Sequence, residues 1–345
     1  QRAEAALEES RRVVADCLNA DPDEILFTSC GTESDNLALR GAALEQRARR
    51  GANHILISPV EHPAVSKTAS DLALRDHFEV EFLPVDSYGR VDADQVKARL
   101  RKDTAIVSVI YANNEIGTVN PIAAIGAICR ERQIPFHTDA VQAAAHLPMD
   151  VVSDCVDLLA IGAHKFYGPK GVGALYCRKG IDLMPIQTGG GQERSLRAGT
   201  HNIPYIAGLA AAFAIAQSEC HQRSARYEPM RDGLIENVLE RVPNAQLTGH
   251  PSERLPNHAS FALEGVDGNA LVMMLDAAGF AVSSGSACKV GSPEPSEVLL
   301  AIGLPRPMAL GSLRVTIGQQ TTQEDLDRFG LALPAIVERV RALAG

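Results

Sequence analysis

The chain has 345 residues, of which 46% are hydrophobic and 22% are charged, and its formal net charge is −9. This length can bury a large core and accommodate two domains. No apolar run in the sequence approaches the roughly 20 residues that span a bilayer, and the acidic balance argues against a general nucleic-acid surface.

Seven cysteines are widely spaced, with no CxxC pair. This pattern argues against a disulfide scaffold or a zinc knuckle, and it indicates a reducing cytoplasm. The first ten residues contain acidic side chains and no apolar segment, so they do not predict a signal peptide. Residue 1 falls inside a predicted helix, so we expect further residues before it.

Short apolar segments alternate with amphipathic helical patterns through the first two-thirds of the chain. The helical patterns include Asn36–Arg49, Ala64–Asp76 and Ile122–Arg132. The predicted strands are Glu24–Thr28, His54–Ser58, Phe78–Leu83, Ala105–Ile110, Phe136–Thr138, Asp157–Ile161 and Gly173–Cys177. The alternation predicts an α/β fold in which a mostly parallel, seven-stranded sheet lies between helices.

The last third of the chain has a different pattern. An alanine-rich helical stretch runs from Pro204 to about Val242. It is followed by predicted strands Ala259–Leu263 and Leu313–Ile317 and predicted helices Asn269–Ala278, Glu294–Ile302 and Gln323–Ala344. We therefore predict a large domain at 1–220 and a smaller C-terminal α+β domain at 221–345.

Ligands of parallel sheets bind at the carboxyl ends of the strands, so the residues that follow each strand are candidates. Gly31 and Thr32 follow the first strand and open a helix, where N–H groups and a hydroxyl suit a phosphate. A simple capped helix explains them about equally well. His62 follows the second strand and suits ring stacking or proton transfer, with a structural histidine as the alternative.

Two later strand ends carry Asn114 and the pair Asp139 and Gln142. The Asn114 amide suits an oxyanion or phenolate, although an Asn/Gly turn would also explain it. A carboxylate such as that of Asp139 can hold a protonated pyridine nitrogen, as pyridoxal phosphate (PLP) sites require. A helix N-cap is the competing interpretation of Asp139.

His164 and Lys165 follow the sixth predicted strand. A lysine at such a strand end is expected to be partly desolvated, which lowers its pKa and makes its amine usable; a surface lysine is the alternative. Arg314 lies within an apolar strand, where its planar fork suits a substrate carboxylate or a structural salt bridge.

Cys288 ends a run of small polar residues that starts at Ser283. Such a run predicts a mobile loop that presents a thiol to a cleft. Each of these signals is weak alone, but the phosphate cradle, the amine, the pyridinium carboxylate and the histidine together describe a PLP site.

The chain resembles the cysteine desulfurases, a group of the class V aminotransferase superfamily with PLP fold type I. The resemblance extends from about residue 20 to residue 329. It depends on seven segments in this order: Phe27–Asn36, Val60–His62, Ala112–Thr118, His137–Gln142, Ala163–Gly171, Gly189–Thr200 and Ser283–Cys288.

The resemblance implies roles for the candidate residues and a cofactor, PLP. Lys165 would bind PLP covalently, and no metal ligand is implied. The other implied PLP contacts are Asp139 to the pyridine nitrogen, Gln142 and Asn114 to the phenolic oxygen, His62 stacked on the ring, Gly31, Thr32 and His164 at the phosphate, and Thr200 from the second subunit of a homodimer.

The resemblance also implies the reaction, in which L-cysteine loses its sulfur to Cys288 as a persulfide and leaves as alanine. Asn114 and Arg314 would bind the substrate carboxylate, Lys165 would remove the Cα proton, and His62 would exchange protons with the thiols. A sulfur-acceptor protein would then take the sulfur. The pathway stays open between iron–sulfur cluster assembly and thiolation of tRNA, DNA or a cofactor.

Two positions depart from the family pattern. Gly162 stands where a phosphate-binding serine is usual, and Cys30 stands where a glycine is usual. An N-terminal strand segment and a longer C-terminal tail, common in the family, are also not in this sequence. Two alternatives remain open: another PLP enzyme, such as a selenocysteine lyase, an aminotransferase or a kynureninase-like hydrolase, and an inactive homologue that carries sulfur or binds a partner.

Overall fold

The computed structural model describes residues 1–285 and 294–344. The chain forms two compact units. The first unit comprises residues 1–84, 91–112 and 120–221, and the second comprises 85–90, 113–119 and the residues from 222 onward. The domain boundary that we predicted at residue 220 stays a prediction. The second unit also includes two short segments, 85–90 and 113–119, that we had assigned to the large domain.

The first unit contains a seven-stranded sheet in the order β1-β7-β6-β5-β4-β2-β3. Strand β7 is antiparallel to both of its neighbours, and the other neighbouring pairs are parallel. The strands are β1 Ile25–Thr28, β2 His54–Ile57, β3 Glu79–Phe82, β4 Thr104–Ser108, β5 Phe136–Asp139, β6 Leu158–Gly162 and β7 Gly173–Cys177. The predicted mostly parallel, seven-stranded sheet is thus confirmed.

Helices accompany this sheet in the first unit. They are α1 Arg2–Leu18, α2 Gly31–Arg50, α3 Pro63–Asp76, α4 Ala93–Arg99, α5 Ile122–Glu131, α6 Ala143–His146 and α7 Ile203–Ser218. Helix α2 buries a face that carries Leu37, Ala38 and Ala42 at helical spacing, but also the carboxylate of Asp35. A charged group on a buried helix face needs a partner or a function.

The core of the first unit holds the strand ends in place. Leu26, Leu37, Ile55, Ile106 and Leu158 are all fully buried in one cluster. Burial of each such side chain contributes about 1.5–3 kcal/mol. Because the strands are fixed, the residues that follow their carboxyl ends have defined positions.

The helix predicted across residues 204–242 is interrupted. Helix α7 ends at Ser218, Glu219 follows with φ −96° and ψ 0°, and helix α8 spans Cys220–Arg241. No single helix in the described part of the chain is both long and apolar enough to cross a membrane, and only the interrupted pair α7 and α8 reaches that length and composition together.

The second unit has a three-stranded antiparallel sheet, in the order β10-β9-β8, with helices. Its elements after α8 are β8 Ala245–Leu247, β9 His258–Leu263, α9 Gly268–Ala277, α10 Glu297–Ala301, α11 Arg306–Leu310, β10 Ser312–Thr316 and α12 Gln323–Ala344. The buried side chains of Tyr227, Phe261, Leu313 and Phe329 belong to its core. The smaller α+β unit is confirmed.

One predicted helix of the second unit begins later than expected. We predicted Glu294 as its start, but α10 begins at Glu297 after the N-cap Ser296, whose hydroxyl accepts a hydrogen bond from the Leu299 N–H. Pro295 directly precedes this cap, and the serine cap defines the start of the helix.

Candidate active site

The start of helix α2 is open to a ligand. The helix begins after Cys30, whose side chain makes no capping hydrogen bond. Glycine fits at position 31 without adjustment, whereas a Cβ there would lie 2.6 Å from Val141 Cγ2 and would force that side chain to shift. Because Cys30 does not cap the helix, the first backbone N–H groups of this 20-residue helix and the exposed Thr32 are placed to bind a ligand. This geometry favours the phosphate interpretation over the simple capped helix.

Cys30, which stands where the family has glycine, fits without backbone strain. Its φ of −175° and ψ of 169° are extended values that any residue adopts. The side chain is half-buried, and its Sγ lies 3.8 Å from Ser29 Oγ. The exchange of glycine for cysteine therefore requires no special conformation.

Gly162 ends strand β6 beside the start of α2. A Cβ at this position would lie 3.5 Å from Gly31 N and 3.6 Å from the His164 ring. These are ordinary van der Waals distances, so a side chain would fit. The usual serine would have placed a hydroxyl near the N-terminus of α2, and this chain has none at that point.

His62 is the N-cap of helix α3. Its Nδ1 accepts a hydrogen bond of 3.1 Å from the Ala64 N–H, so Nε2 carries the proton of the neutral ring. The ring is half-buried. His62 thus has the structural role that we kept as an alternative, and its Nε2 remains for proton exchange.

Asp139 lies at the end of β5 and is 5% exposed. One carboxylate oxygen accepts a hydrogen bond of 2.9 Å from the Val141 N–H. Burial raises the pKa of Asp139, while that bond and the nearby His62 and Lys165 act in the opposite direction. Helix α6 begins after Gln142, so Asp139 is not its N-cap. A buried carboxylate close to two basic groups is suited to hold a cation.

Lys165 lies in a short 3-10 turn that follows β6, at Ala163–Phe166. Its side chain is exposed in the single chain, so the partial desolvation that we predicted is not found there. The pKa of the neighbouring His164 is lowered by burial and by Lys165 and Lys170. Lys165 favours the ionised form of the Asp139 carboxylate electrostatically.

The remaining candidates of the first unit are Gln142 and Thr200. Gln142 is half-buried as the N-cap residue of α6, and Thr200 is exposed. An open cavity of about 440 Å³ borders Thr32 and His62. Its full lining is Thr32, Asn36, Arg40, His62, Pro63, Ala64, Lys67, Thr68 and Asp71.

Sequence reasoning missed a group of buried titratable side chains beside Asp139. The nearest is Asp35, which is 1% exposed. Asp35, His62 and Asp139 each offer an oxygen or nitrogen atom, and these atoms all lie within 4.8 Å of one another. One signal was available, because a carboxylate in the apolar pattern of α2 indicates a special environment.

His137 and Glu61 extend this group. His137 lies two residues before Asp139, so the two side chains are on the same face of β5. His137 is fully buried, and burial lowers its pKa to about 3. Glu61 Oε1 accepts hydrogen bonds from Ser58 Oγ at 2.6 Å and Ile110 N at 2.7 Å. Burial raises the pKa of Glu61 to about 8 in spite of these bonds.

In the second unit, Arg314 lies on β10 and contacts Asn114. Its Nη1 donates a hydrogen bond of 2.9 Å to the backbone oxygen of Asn114. Ser283 and Arg314 exchange backbone hydrogen bonds of 2.7 Å and 3.1 Å, and the Gly285 N–H donates to Ser312 Oγ at 2.9 Å. The segment that leads to Cys288 therefore runs beside the arginine strand. Cys288 itself lies outside the described residues.

Comparisons with known protein families and with individual proteins agree with each other. The family model for class-V aminotransferases matches residues 1–329. The cysteine desulfurase IscS of Methanosarcina thermophila is 45% identical over 339 residues, which cover 98% of this chain and 83% of that protein.

Solved structures agree with this result. A NifS-like protein superposes with a TM-score of 0.89 at 34% identity, covering 98% of this chain and 89% of its own. SspA in complex with cysteine superposes with a TM-score of 0.79 at 34% identity, covering 92% and 87% respectively. These identities and coverages relate the whole chain, and not one motif, to these proteins.

Proposed function

Because the chain belongs to the class-V aminotransferase family, with cysteine desulfurases among its relatives, we propose that it is a cysteine desulfurase. It takes sulfur from L-cysteine, releases L-alanine and holds the sulfur on Cys288 as a persulfide. One observation carries the proposal beyond the family: Asp139, His62 and Lys165 form one electrostatic group at the carboxyl edge of the sheet.

PLP is the proposed cofactor, and the residues present fit it. The uncapped start of α2 suits a phosphate, and the buried Asp139 carboxylate suits a protonated ring nitrogen. When bound, PLP would supply an electron sink for the carbon that loses its proton. The residues proposed to hold it are Lys165 through its amine, Asp139, Gln142 and Asn114 at the ring, His62 against its face, Gly31, Thr32 and His164 at the phosphate, and Thr200 of the second subunit of a homodimer.

The substrate is proposed to be bound and deprotonated by three side chains. The Arg314 guanidinium and the Asn114 amide bind its carboxylate, since a planar fork matches two oxygens. The Lys165 amine takes the Cα proton. The Nε2 of His62 exchanges protons with the thiols, because Nδ1 is already engaged by Ala64 N–H.

The Cys288 thiolate is proposed to attack the sulfur of the bound cysteine. A sulfur–sulfur bond forms and the carbon–sulfur bond breaks, and its electron pair stays on carbon, where a proton completes alanine. The anchoring of residues 283–285 beside the strand of Arg314 supports this role. The six described cysteines are all free thiols, which agrees with the cytoplasmic location that we propose.

The proposal is tested with two variants. Cys288→Ser should keep the absorption band of bound PLP and stop sulfide release from L-cysteine, because only the sulfur-accepting thiol is lost. Lys165→Ala should remove the covalently bound band. Cys17→Ser, which changes a half-buried thiol on α1, is the matched control and should retain turnover.

Unchanged turnover in Cys288→Ser would exclude a persulfide on that residue. If sulfide release stops, labelled sulfur from L-cysteine should be followed onto candidate acceptors. We propose a sulfur-acceptor protein of iron–sulfur cluster assembly or of tRNA, DNA or cofactor thiolation, and the label distinguishes these.

A further inference from the structure

A row of hydrogen-bonding side chains, Ser108, His137 and Asp35, is buried beside Asp139. Ser108 Oγ lies 2.9 Å from His137 Nδ1, and His137 Nε2 lies 3.4 Å from Asp35 Oδ1. The Asp35 and His137 side chains are 1% and 0% exposed. In the described part of the chain, neither Asp35 Oδ1 nor His137 Nε2 has a hydrogen-bond partner.

This arrangement disfavours a negative charge on Asp35. An ionised carboxylate needs several hydrogen bonds or a cation when it leaves water. Asp35 Oδ1 accepts no hydrogen bond from His137. His137 is also not a cation, because burial lowers its pKa to about 3. The pKa of Asp35 is raised by burial first, and then by Asp139, Glu61 and Cys30.

Other titratable groups surround Asp35 from several elements. Those that face it are Cys30 before α2, Glu61 and His62 before α3, and His137 and Asp139 on β5. The ionised form of Asp139 repels a charge on Asp35, and Glu61 and Cys30 add to this repulsion whenever they are ionised. Two carboxylates this close in a dry site do not both ionise, so one of the pair Asp35 and Asp139 retains a proton.

We propose that Asp35 is a positioning residue for Asp139: it remains a neutral carboxylic acid between His137 and Asp139, so that Asp139 is the one carboxylate of the pair that carries the negative charge. Asp139 is the better candidate for that charge because it accepts the Val141 N–H bond and has His62 and Lys165 nearby. The proposal deepens the proposed function, since it rests on Asp139 as the partner of the cofactor nitrogen.

Infrared spectroscopy of the full-length protein, with and without added PLP, tests this directly. At about pH 7.5, above the pKa of about 6 to which burial raises Asp154, we expect the carbonyl band of a protonated acid, and carboxyl-13C labelling of aspartate should shift that band. Asp35→Asn should lose the shifted band, whereas Asp139→Asn should keep it. Glu61→Gln is the control, because it should remove only the unlabelled band of the second protonated acid, whose pKa is about 8.

The outcomes separate the alternatives. A labelled band that survives in Asp35→Asn and disappears in Asp139→Asn would overturn the proposal, as would a wild-type protein without a labelled band. Asp139→Asn retains Asp35, so it still answers the question where Asp35→Asn does not fold. Since one of the two measurements is made without PLP and neither needs turnover, a failure of the desulfurase proposal would not alter this result.

Discussion

Two buried carboxylates of the first unit, Glu193 and Asp35, have opposite surroundings. The Glu193 side chain is fully buried and accepts hydrogen bonds from both terminal nitrogens of Arg11 at 2.8 and 2.9 Å. It also accepts bonds from the Phe27 N–H at 2.9 Å and from His201 Nε2 at 2.5 Å. Asp35 is equally buried, but its Oδ1 accepts none from the described residues. The comparison shows that the available donors, rather than burial, determine which buried carboxylate is ionised.

The pKa directions follow from this difference. Burial raises the pKa of Glu193, but Arg11, the Phe27 N–H and His201 outweigh it and hold the pKa below its usual value. No such donors oppose burial at Asp35, whose pKa is raised. Glu193 is therefore held as a charged group with a structural role, whereas the surroundings of Asp35 favour the neutral acid that we propose.

Glu193 also stabilises a strained segment. Glu193, Arg194 and Ser195 have φ values of 43°, 55° and 64°, which place three consecutive residues with side chains in the left-handed region. Such conformations persist only when the surrounding contacts hold them, at about 1–3 kcal/mol each. The four hydrogen bonds to the Glu193 carboxylate supply those contacts at the start of the turn.

The largest effect is expected from Glu193→Gln. The substitution removes the buried charged partner of the Arg11 guanidinium, which is only 12% exposed, so we expect a loss of about 3–5 kcal/mol in the free energy of unfolding. Urea unfolding measures it. Glu8→Gln is the control, because Glu8 is half exposed at 3.5 Å from Arg11 and such pairs contribute at most about 1 kcal/mol. Equal losses in both variants would contradict the structural role of the Glu193 charge.

The pH dependence of that difference has a definite sign. Because the folded pKa of Glu193 is depressed below the ordinary value of 4.5, its contribution is fully present above about pH 4.5. The contribution is lost as the pH falls through the folded pKa. The stability difference between the wild type and Glu193→Gln should therefore shrink in acid, and a constant difference across this range would show that the lost charge is not its cause.

The opposite sign is expected for Asp35→Asn, with a smaller magnitude. The folded state holds the Asp35 proton more tightly than the unfolded chain does, so wild-type stability falls, relative to the variant, as the pH rises above the ordinary value of 3.8. At neutral pH the variant should be more stable by about 1–2 kcal/mol, because the unfolded wild type releases a proton that its folded state retains, and each pKa unit between the two states corresponds to about 1.4 kcal/mol. Urea unfolding of both proteins from acid to neutral pH measures this, and a variant that loses stability relative to the wild type as the pH rises would contradict a neutral Asp35.

Sequence patterns predicted the features of the fold that depend on residues close together in the chain. The sheet strands were placed to within about two residues, because apolar runs bounded by polar residues are read directly from the chain. Gly31, His62, Asp139 and Lys165 were selected as candidate site residues because each follows a predicted strand, and their roles stay predictions. Strand β8 was missed, since its alternation of apolar and polar residues covers only three positions, too few to indicate a strand.

The two buried carboxylates were not predicted, because their partners are distant in sequence. Asp35 meets His137 and Asp139 only through the packing of α2 on β5, and Glu193 meets Arg11 and Phe27 across more than 160 residues. Local patterns do not determine such contacts. The break at Glu219 was missed because no glycine or proline lies between residues 209 and 228 to indicate the end of a helix.

The smallest effect is expected at Gly162, where the chain lacks the hydroxyl of its family. Its φ of −134° and ψ of 120° suit serine, and a Cβ there meets Gly31 N and the His164 ring at ordinary distances. On the proposed function, Gly162→Ser adds one hydrogen bond to the PLP phosphate. About 1 kcal/mol corresponds to roughly fivefold tighter binding, which absorbance titration of the apoprotein with PLP measures. Gly162→Ala adds the Cβ without the hydroxyl, so an equal gain in that control would assign the effect to packing and not to the phosphate.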